Sequence, residues 1–323
     1  MDVILPVAGL GSRLRPQTWS KPKPLVSVAG KPILAHVLDR VMPAKPERLI
    51  FITGFLGDQI EAWARANYDL PMEFVEQPEM RGQTDAIIRT RHLCSGSGLI
   101  LFPDAVFERD FTDAATTDAD VIMYTKEVDD PSQLGIAVVD GDRITKLVEK
   151  PKDPISKLAV IGIYHFRSMP DLYTAIDEQM RRGIMLKNEF FIADAIQLMI
   201  DAGKKVVPAN VGAWEDCGNI EVLLSTNRYL MDQLPTSPAR SGAVIVEPSI
   251  VHPSAVIERS VIGPYASIGA HAVVRDSVVR DSIVEDGAVI HDAVLEHSVI
   301  GRGAKVDGRA MTLNVGDTSQ TVL

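Results

Sequence analysis

A short apolar run, Val3 to Val7, leads straight into Ala8-Gly9-Leu10-Gly11-Ser12-Arg13, and a prolyl turn at Pro16 is followed by two lysines, Lys21 and Lys23, each preceding a proline. Residues of these types in this order suit a triphosphate. Small side chains let backbone N–H groups approach phosphate oxygens, and nearby cations neutralise the charge. Arginine offers a planar fork of donors, whereas lysine is a compact point charge. Two better-known phosphate loops are excluded. The Gly-x-x-x-x-Gly-Lys-Ser/Thr of a P-loop is absent, and Arg15 and Pro16 stand where a dinucleotide fingerprint needs helix and glycine. The glycines alone describe an ordinary strand-to-loop turn. Arg13, Pro16, Lys23 and Pro24 at these spacings favour phosphate handling.

Other positions carry weaker signals. Asp104 follows the apolar run Leu99–Phe102, and a bare aspartate after a strand is commonly a turn or cap residue. Asp216 lies in Trp214-Glu215-Asp216-Cys217-Gly218-Asn219. Two carboxylates from separate strand ends can hold one divalent cation, with phosphate oxygens and water filling the remaining sites. Gln77 precedes Gly82 in Gln77-Pro78-Glu79-Met80-Arg81-Gly82. A glutamine offers both donor and acceptor, so it can pair with N3–H and O4 of a uracil or thymine edge. Lys21 reads as a solvated surface cation and Glu215 as structural.

With these residues in view, the chain resembles the sugar-1-phosphate nucleotidylyltransferases, also called nucleotide-sugar pyrophosphorylases. Their signature, Gly-x-Gly-Ser/Thr-Arg-x-x-Pro followed by a lysine in a Lys-Pro context, is matched by Gly9, Gly11, Ser12, Arg13, Pro16 and Lys23. The resemblance implies that an oxygen of a sugar 1-phosphate attacks the α-phosphorus of a nucleoside triphosphate and that pyrophosphate leaves. It implies catalytic roles for Arg13, on the β- and γ-phosphates, and for Lys23, at the α-phosphate and the incoming sugar phosphate. Ala8, Gly9, Gly11, Ser12, Gln77 and Gly82 would bind the nucleotide, the last two reading the base. Gly135 in Leu134-Gly135-Ile136 and Glu149-Lys150 in Glu149-Lys150-Pro151 would bind the sugar phosphate, with Asn188-Glu189 near by. Asp104 and Asp216 would hold Mg²⁺. Two departures stand out: Pro103 replaces the family's usual glycine before the metal aspartate, and Asn219 replaces a threonine. The favoured substrates are dTTP or UTP with glucose 1-phosphate, as in the longer-type glucose-1-phosphate thymidylyltransferases. The alternatives are GTP with mannose 1-phosphate, or a non-catalytic paralogue that binds nucleotide sugar. Retention of Arg13, Lys23 and both aspartates disfavours the paralogue.

The elements that must position these residues follow from periodicity. Up to about residue 233, strand-like runs such as Leu49–Thr53, Met72–Glu76 and Val121–Thr125 alternate with helix-like runs such as Pro32–Val41, Asp58–Asn67, Thr84–Leu93 and Pro170–Arg182. That alternation reads as an α/β sandwich with a mostly parallel sheet, for which the resemblance implies a Rossmann-like nucleotidyltransferase domain; the loop at residues 8–24 lies at the carboxyl end of a strand, where such folds bind ligands. Asp140-Gly141 between two apolar alternating runs is a hairpin signal, so the sheet is expected to be mixed. A proline-rich linker around residues 234–243 separates the domains, 1–236 and 237–323. After it, aliphatic residues recur every six or five positions, from Ile250, Val256 and Ile262 through to Val306. That step predicts a parallel β-helix, which resembles the left-handed form with three strands per coil and so has fewer than four coils, followed by a loosely packed tail. Acyl transfer by one of its histidines (His252, His271, His291, His297) is the lesser reading for this domain.

The totals fit. A chain of 323 residues with 46% hydrophobic and 24% charged residues can build a large core. The net charge of −10 argues against a general nucleic-acid binder. No apolar run approaches the ~18 residues of a membrane span, and neither a signal peptide nor, with two cysteines, a disulfide framework is indicated. The expectation is a cytoplasmic protein whose partners are a nucleoside triphosphate and a sugar 1-phosphate, with a β-helix face or exposed helix able to support a homo-oligomer.

Overall fold

Strands buried on both faces must be apolar throughout. Val3, Ile4 and Leu5 of β1 (Asp2–Pro6) and Leu49 to Ile52 of β2 (Arg48–Thr53) meet that requirement and are wholly buried. The structure, a computed structural model, describes residues 1–132, 134–149, 155–234 and 242–308. With β3 (Met72–Glu76) and β4 (Gly98–Leu101), these strands form a parallel core in the order β4-β1-β2-β3. The short β5 (Ala105–Phe107) leaves this sheet. The chain returns through β6 (Val121–Glu127), the hairpin β7 (Gly135–Asp140) and β8 (Arg143–Glu149), and the long β9 (Leu158–Phe166). β9 runs antiparallel to β4, β6 and β7, and β10 (Val206–Asn210) adds to β6 in parallel, so the nine-stranded sheet is mixed, as expected. The turn at Asp140-Gly141 closes the hairpin, with Gly141 at φ +60°. Finally β11 (Trp214–Asp216) pairs with β5, outside the large sheet.

Side chains alternate across a strand, and two cores result. Ile4 joins one that contains Leu172, Ile176 and Ile196, from α4 (Met169–Arg182) and α5 (Ile192–Asp201). Val3 and Leu5 join the other, with Leu34 and Leu38 of α1 (Ile33–Val41) and Ile60 of α2 (Gly57–Asn67). Helix ends follow local chemistry. Ser168 caps α4 by accepting from the Asp171 N–H at 3.4 Å, Pro170 sits in its first turn, and Gly183 ends it at φ +65°. α3 (Gln83–Ile88) stops well short of the Thr84–Leu93 span predicted for it, and single hydrogen-bonded turns continue to Cys94.

The chain divides into two compact units, one of residues 1–26 and 31–222 and one of residues 27–30 and 223–323. The boundary expected at residue 236, and the tail beyond Gly308, lie outside the described residues. The second unit begins within α6 (Ile220–Met231), and among the described residues its repeat builds twelve short strands in three parallel sheets of four, the arrangement of the expected left-handed β-helix. It has four coils, one more strand than the aliphatic count suggested, because Ala243–Ile245 pairs in register with Ser260–Ile262. Aliphatic residues such as Ile262, Ile268, Val274, Val279, Val284 and Ile290 fill its interior. Within this unit, residues 27–30 and α6 are tied to the strands by polar contacts. Asn227 accepts from the Ala29 N–H at 2.9 Å and donates to the Tyr265 carbonyl at 3.3 Å, while Ser267 accepts from the Gly30 N–H at 3.0 Å. Among the described residues no helix is long and apolar enough to cross a membrane.

One buried titratable group ties the first unit to pH. His165 on β9 is 2% exposed, its Nδ1 has no partner among the described residues, and burial pushes its imidazole down to about 4. The unfolded chain takes up a proton near 6.5 that the folded chain refuses until about 4, so stability is lost as pH falls through that window. Urea unfolding at pH 7 and pH 5 should show a shallower loss for His165→Leu than for the wild type.

Candidate functional site

The last sheet bond of the first strand is made by the Val7 N–H to the Ile52 carbonyl, at 2.8 Å. Beyond it the backbone turns outward. Gly11 adopts φ +61°, and its carbonyl accepts from the Leu14 N–H at 2.9 Å and the Thr18 hydroxyl at 2.8 Å. The loop's own bonds therefore use carbonyl groups. Among the described residues, none of the six N–H groups from Ala8 to Arg13 donates to a protein acceptor. A backbone that leaves successive donors unspent can offer them to an anion. A Cβ on Gly11 would lie 2.9 Å from the Lys23 Cβ, so a glycine is required for the loop to close against the lysine. Lys21 departs from expectation. It is 7% exposed, because every residue from Lys21 to Val26 except Lys23 is buried and its stem is drawn in with them.

Asp104 and Asp216 are brought together by the ladder of β5 and β11. Asp216 pairs with Ala105, and the Cys217 N–H donates to the Asp104 carbonyl at 3.0 Å. Pro103 fits this turn. The Asp104 N–H donates to the Phe102 carbonyl at 2.9 Å, a three-residue turn whose central position wants a φ close to the one proline fixes. Strand alternation sends Glu215 to the opposite face, where burial raises its carboxyl and Lys126 opposes the rise. Lys23 Nζ lies 3.6 Å from Asp104 Oδ2. Burial holds the Asp216 carboxyl above the ordinary range; Lys23 and Arg13 pull it down and the charge of Asp104 pushes it up. These influences place both carboxylates and both cations in one electrostatic neighbourhood. The donor set suits a hard divalent cation, which takes few protein oxygens and shares phosphate oxygens and water. Among the described residues no group of three or more His, Cys, Asp or Glu side chains offers a fuller metal site.

At the other end of the site, Gln77 is 4% exposed. Its Nε2 donates to the Gly82 carbonyl at 3.1 Å and to Asp85 Oδ2 at 3.3 Å. The donor half of the base pairing expected of Gln77 is thus committed within the protein. Gly82, at φ +107°, bridges to Phe190, and a Cβ there would sit 2.3 Å from the Phe190 nitrogen.

A cavity of about 360 Å³ joins these parts. Ala8, Gly9, Gly11, Ser12, Arg13 and Lys23 line one part of it, and Gln77, Gly82 and Asp104 also belong to its wall. Asp216 is represented there by its neighbour Gly218, whose Cβ would lie 2.8 Å from Asp216 Oδ2. Met80, Gln83, Phe102 and Glu189 also line the cavity, and of these only Glu189, in the pair Asn188-Glu189 before a helix, carries a signal in the sequence. Gly135 and Glu149 are not in the cavity wall. They face each other across the β7–β8 hairpin, where a Cβ on Gly135 would meet Glu149 Oε2 at 2.8 Å. Glu149 and Asp104 together raise the buried Tyr164 phenol beyond what burial alone does. Lys150 lies outside the described residues.

Comparison with known proteins extends this picture. The profile of the family described as Nucleotidyl transferase matches residues 2–233. The "Bifunctional protein GlmU" of Methanocaldococcus jannaschii is 32% identical over 238 residues, 73% of this chain but 56% of its own length, so the chain spans just over half of that relative. The "UTP--glucose-1-phosphate uridylyltransferase AglF" of Haloferax volcanii is 30% identical over 66% of this chain and 89% of its own. A "Glucose-1-phosphate thymidylyltransferase" of Streptomyces griseus is 28% identical over 86% of this chain and 85% of its own, a span that reaches into the β-helix. Among solved structures, a UDP-glucose pyrophosphorylase complexed with UDP-glucose shares the fold of 72% of this chain, with a TM-score of 0.63 and 22% identity, and is covered over 99% of its length.

The packing at Gly82 makes a checkable claim about the wall. Gly82→Ala must displace the Phe190 backbone and hold an unfavourable φ, so it should lower unfolding stability by about 2 kcal/mol, read from urea midpoints at constant slope.

Proposed function

The chain belongs to the nucleotidyl transferase family, and from that premise we propose that it joins a nucleoside triphosphate to a sugar 1-phosphate, releasing pyrophosphate. The observation that carries this reading is the run of unspent N–H donors from Ala8 to Arg13, set in one cavity with Lys23 and Asp104. Such a cavity receives a polyanion at the loop and still holds carboxylates near by, an arrangement that makes sense if a divalent cation is shared between protein and phosphates.

The chemistry requires no strong base. An oxygen of the sugar phosphate, already anionic, forms a bond to the α-phosphorus. The bond from that phosphorus to the bridging oxygen breaks, and pyrophosphate departs with the electron pair. The difficulty is to bring two polyanions into line and stabilise charge on the leaving oxygens. The amides of residues 8–13 hold the triphosphate, and Arg13 takes the charge that builds on the β- and γ-phosphates. Lys23 sits between the α-phosphate and the incoming sugar phosphate, and Asp104 keeps its ammonium in place. Asp104 and Asp216 would hold Mg²⁺, which supplies further charge neutralisation at the phosphates when bound. Dependence on a divalent metal is general in the family. On the sugar side Glu149 would accept hydrogen bonds from sugar hydroxyls and Lys150 would neutralise the sugar phosphate, with Gly135 paired opposite Glu149. dTTP or UTP with glucose 1-phosphate is the favoured pair, supported by the thymidylyltransferase and uridylyltransferase relatives.

Purified protein should release pyrophosphate from at least one pair in a panel crossing four nucleotides with several sugar 1-phosphates. Lys23→Ala and Asp216→Ala should each lower turnover on the order of a hundredfold or more, since each removes charge stabilisation at the reacting phosphates. Near-normal turnover in either variant, with the fold intact, would reject the assignment of the site.

A further inference from the structure

We infer that Asp85 is a positioning residue that locks the Gln77 side-chain amide in one orientation and so selects bases whose ring nitrogen carries a hydrogen. This rests on the reading of the cavity as a nucleotide site. Gln77 is in the cavity wall and 4% exposed, so its amide has few ways to turn. Both hydrogens of Nε2 have an acceptor: the Gly82 carbonyl at 3.1 Å and Asp85 Oδ2 at 3.3 Å. An ionised carboxylate can only accept, and so can a carbonyl. Turning the amide over would set Oε1 against two acceptors and leave Nε2 without a partner, a costly arrangement at a buried position.

Asp85 is itself fixed. It is 5% exposed in the first turn of α3, and Arg89, one helical turn on, donates to the same Oδ2 at 3.2 Å. The guanidinium thus also holds the carboxylate. The order of command therefore runs from Arg89 to Asp85 to Gln77, and it leaves the Gln77 carbonyl oxygen as the side-chain group free to meet a ligand.

An acceptor presented in this way rewards a base with a ring N–H. Uracil and thymine have one at N3 and guanine has one at N1. Cytosine N3 and adenine N1 are acceptors and would face another acceptor. An unlocked glutamine would not discriminate, because it could turn to suit either.

The test is equilibrium binding of UTP, dTTP, CTP and ATP to the full chain by calorimetry, with Mg²⁺ present, in the wild type and in Asp85→Asn. The side-chain amide introduced at that position supplies a donor to Gln77 Oε1, so the lock falls to the Gly82 carbonyl alone. The wild type is expected to bind UTP or dTTP at least tenfold more tightly than CTP, and Asp85→Asn to narrow that ratio about tenfold. Asp85→Ser, which removes the carboxylate without added bulk, is the second variant should Asp85→Asn fail to fold, with the same expectation. A wild type that binds CTP as tightly as UTP overturns the proposal. So does a folded variant in which all nucleotides weaken together and the ratio stays, which is what a merely structural Asp85 would produce. Turnover is not the readout: a preserved ratio shift without pyrophosphate release would reject the proposed reaction and keep the lock.

Discussion

The site depends on a backbone that withholds its donors. A loop whose N–H groups bond elsewhere in the protein cannot offer them to a ligand, and one whose shape is not otherwise secured will collapse until they do. Here the shape is secured by carbonyls and contacts instead. The Gly11 carbonyl takes bonds from Leu14 and Thr18, Gly11 closes on Lys23, and the Val7 N–H anchors the start of the loop to the second strand. The donors of residues 8–13 are thereby held ready, and little reorganisation is needed when an anion arrives.

Charge follows the same logic. Lys23 would be poorly placed if it were free to wander, and Asp104 holds it. Asp216 would be stable if it were solvated, and burial keeps its carboxyl raised above the usual range. In the proposed reading, each group would be satisfied when cation, phosphate and carboxylates are present together. Proteins accept such local cost where function requires it. The β-helix unit shows the opposite economy. Its interior is largely aliphatic, and polar contacts such as those of Asn227 with Ala29 and Tyr265 tie its elements together.

At the proposed base end, a chain of bonds runs from Arg89 through Asp85 to Gln77. Gln77 has a donor and an acceptor by its chemistry, but neighbours decide which is offered. Gly82 serves twice, as wall of the cavity and as acceptor for Gln77, and its packing on Phe190 leaves room for no side chain.

The order of apolar runs, the hairpin at Asp140-Gly141, the six-residue step after residue 250 and the spacing of Gly9, Gly11, Arg13 and Lys23 were all readable in the sequence, because each is a local or periodic property of the chain. What only the tertiary structure decided is non-local. The strands that set Asp104 beside Asp216 are three residues each, Ala105–Phe107 and Trp214–Asp216, too short to carry a period and stable only because they pair with each other across the chain. The burial of Lys21, the commitment of the Gln77 amide to Asp85 and the grouping of residues 27–30 with the second unit likewise depend on which segments meet in space, and no spacing along the chain encodes that meeting.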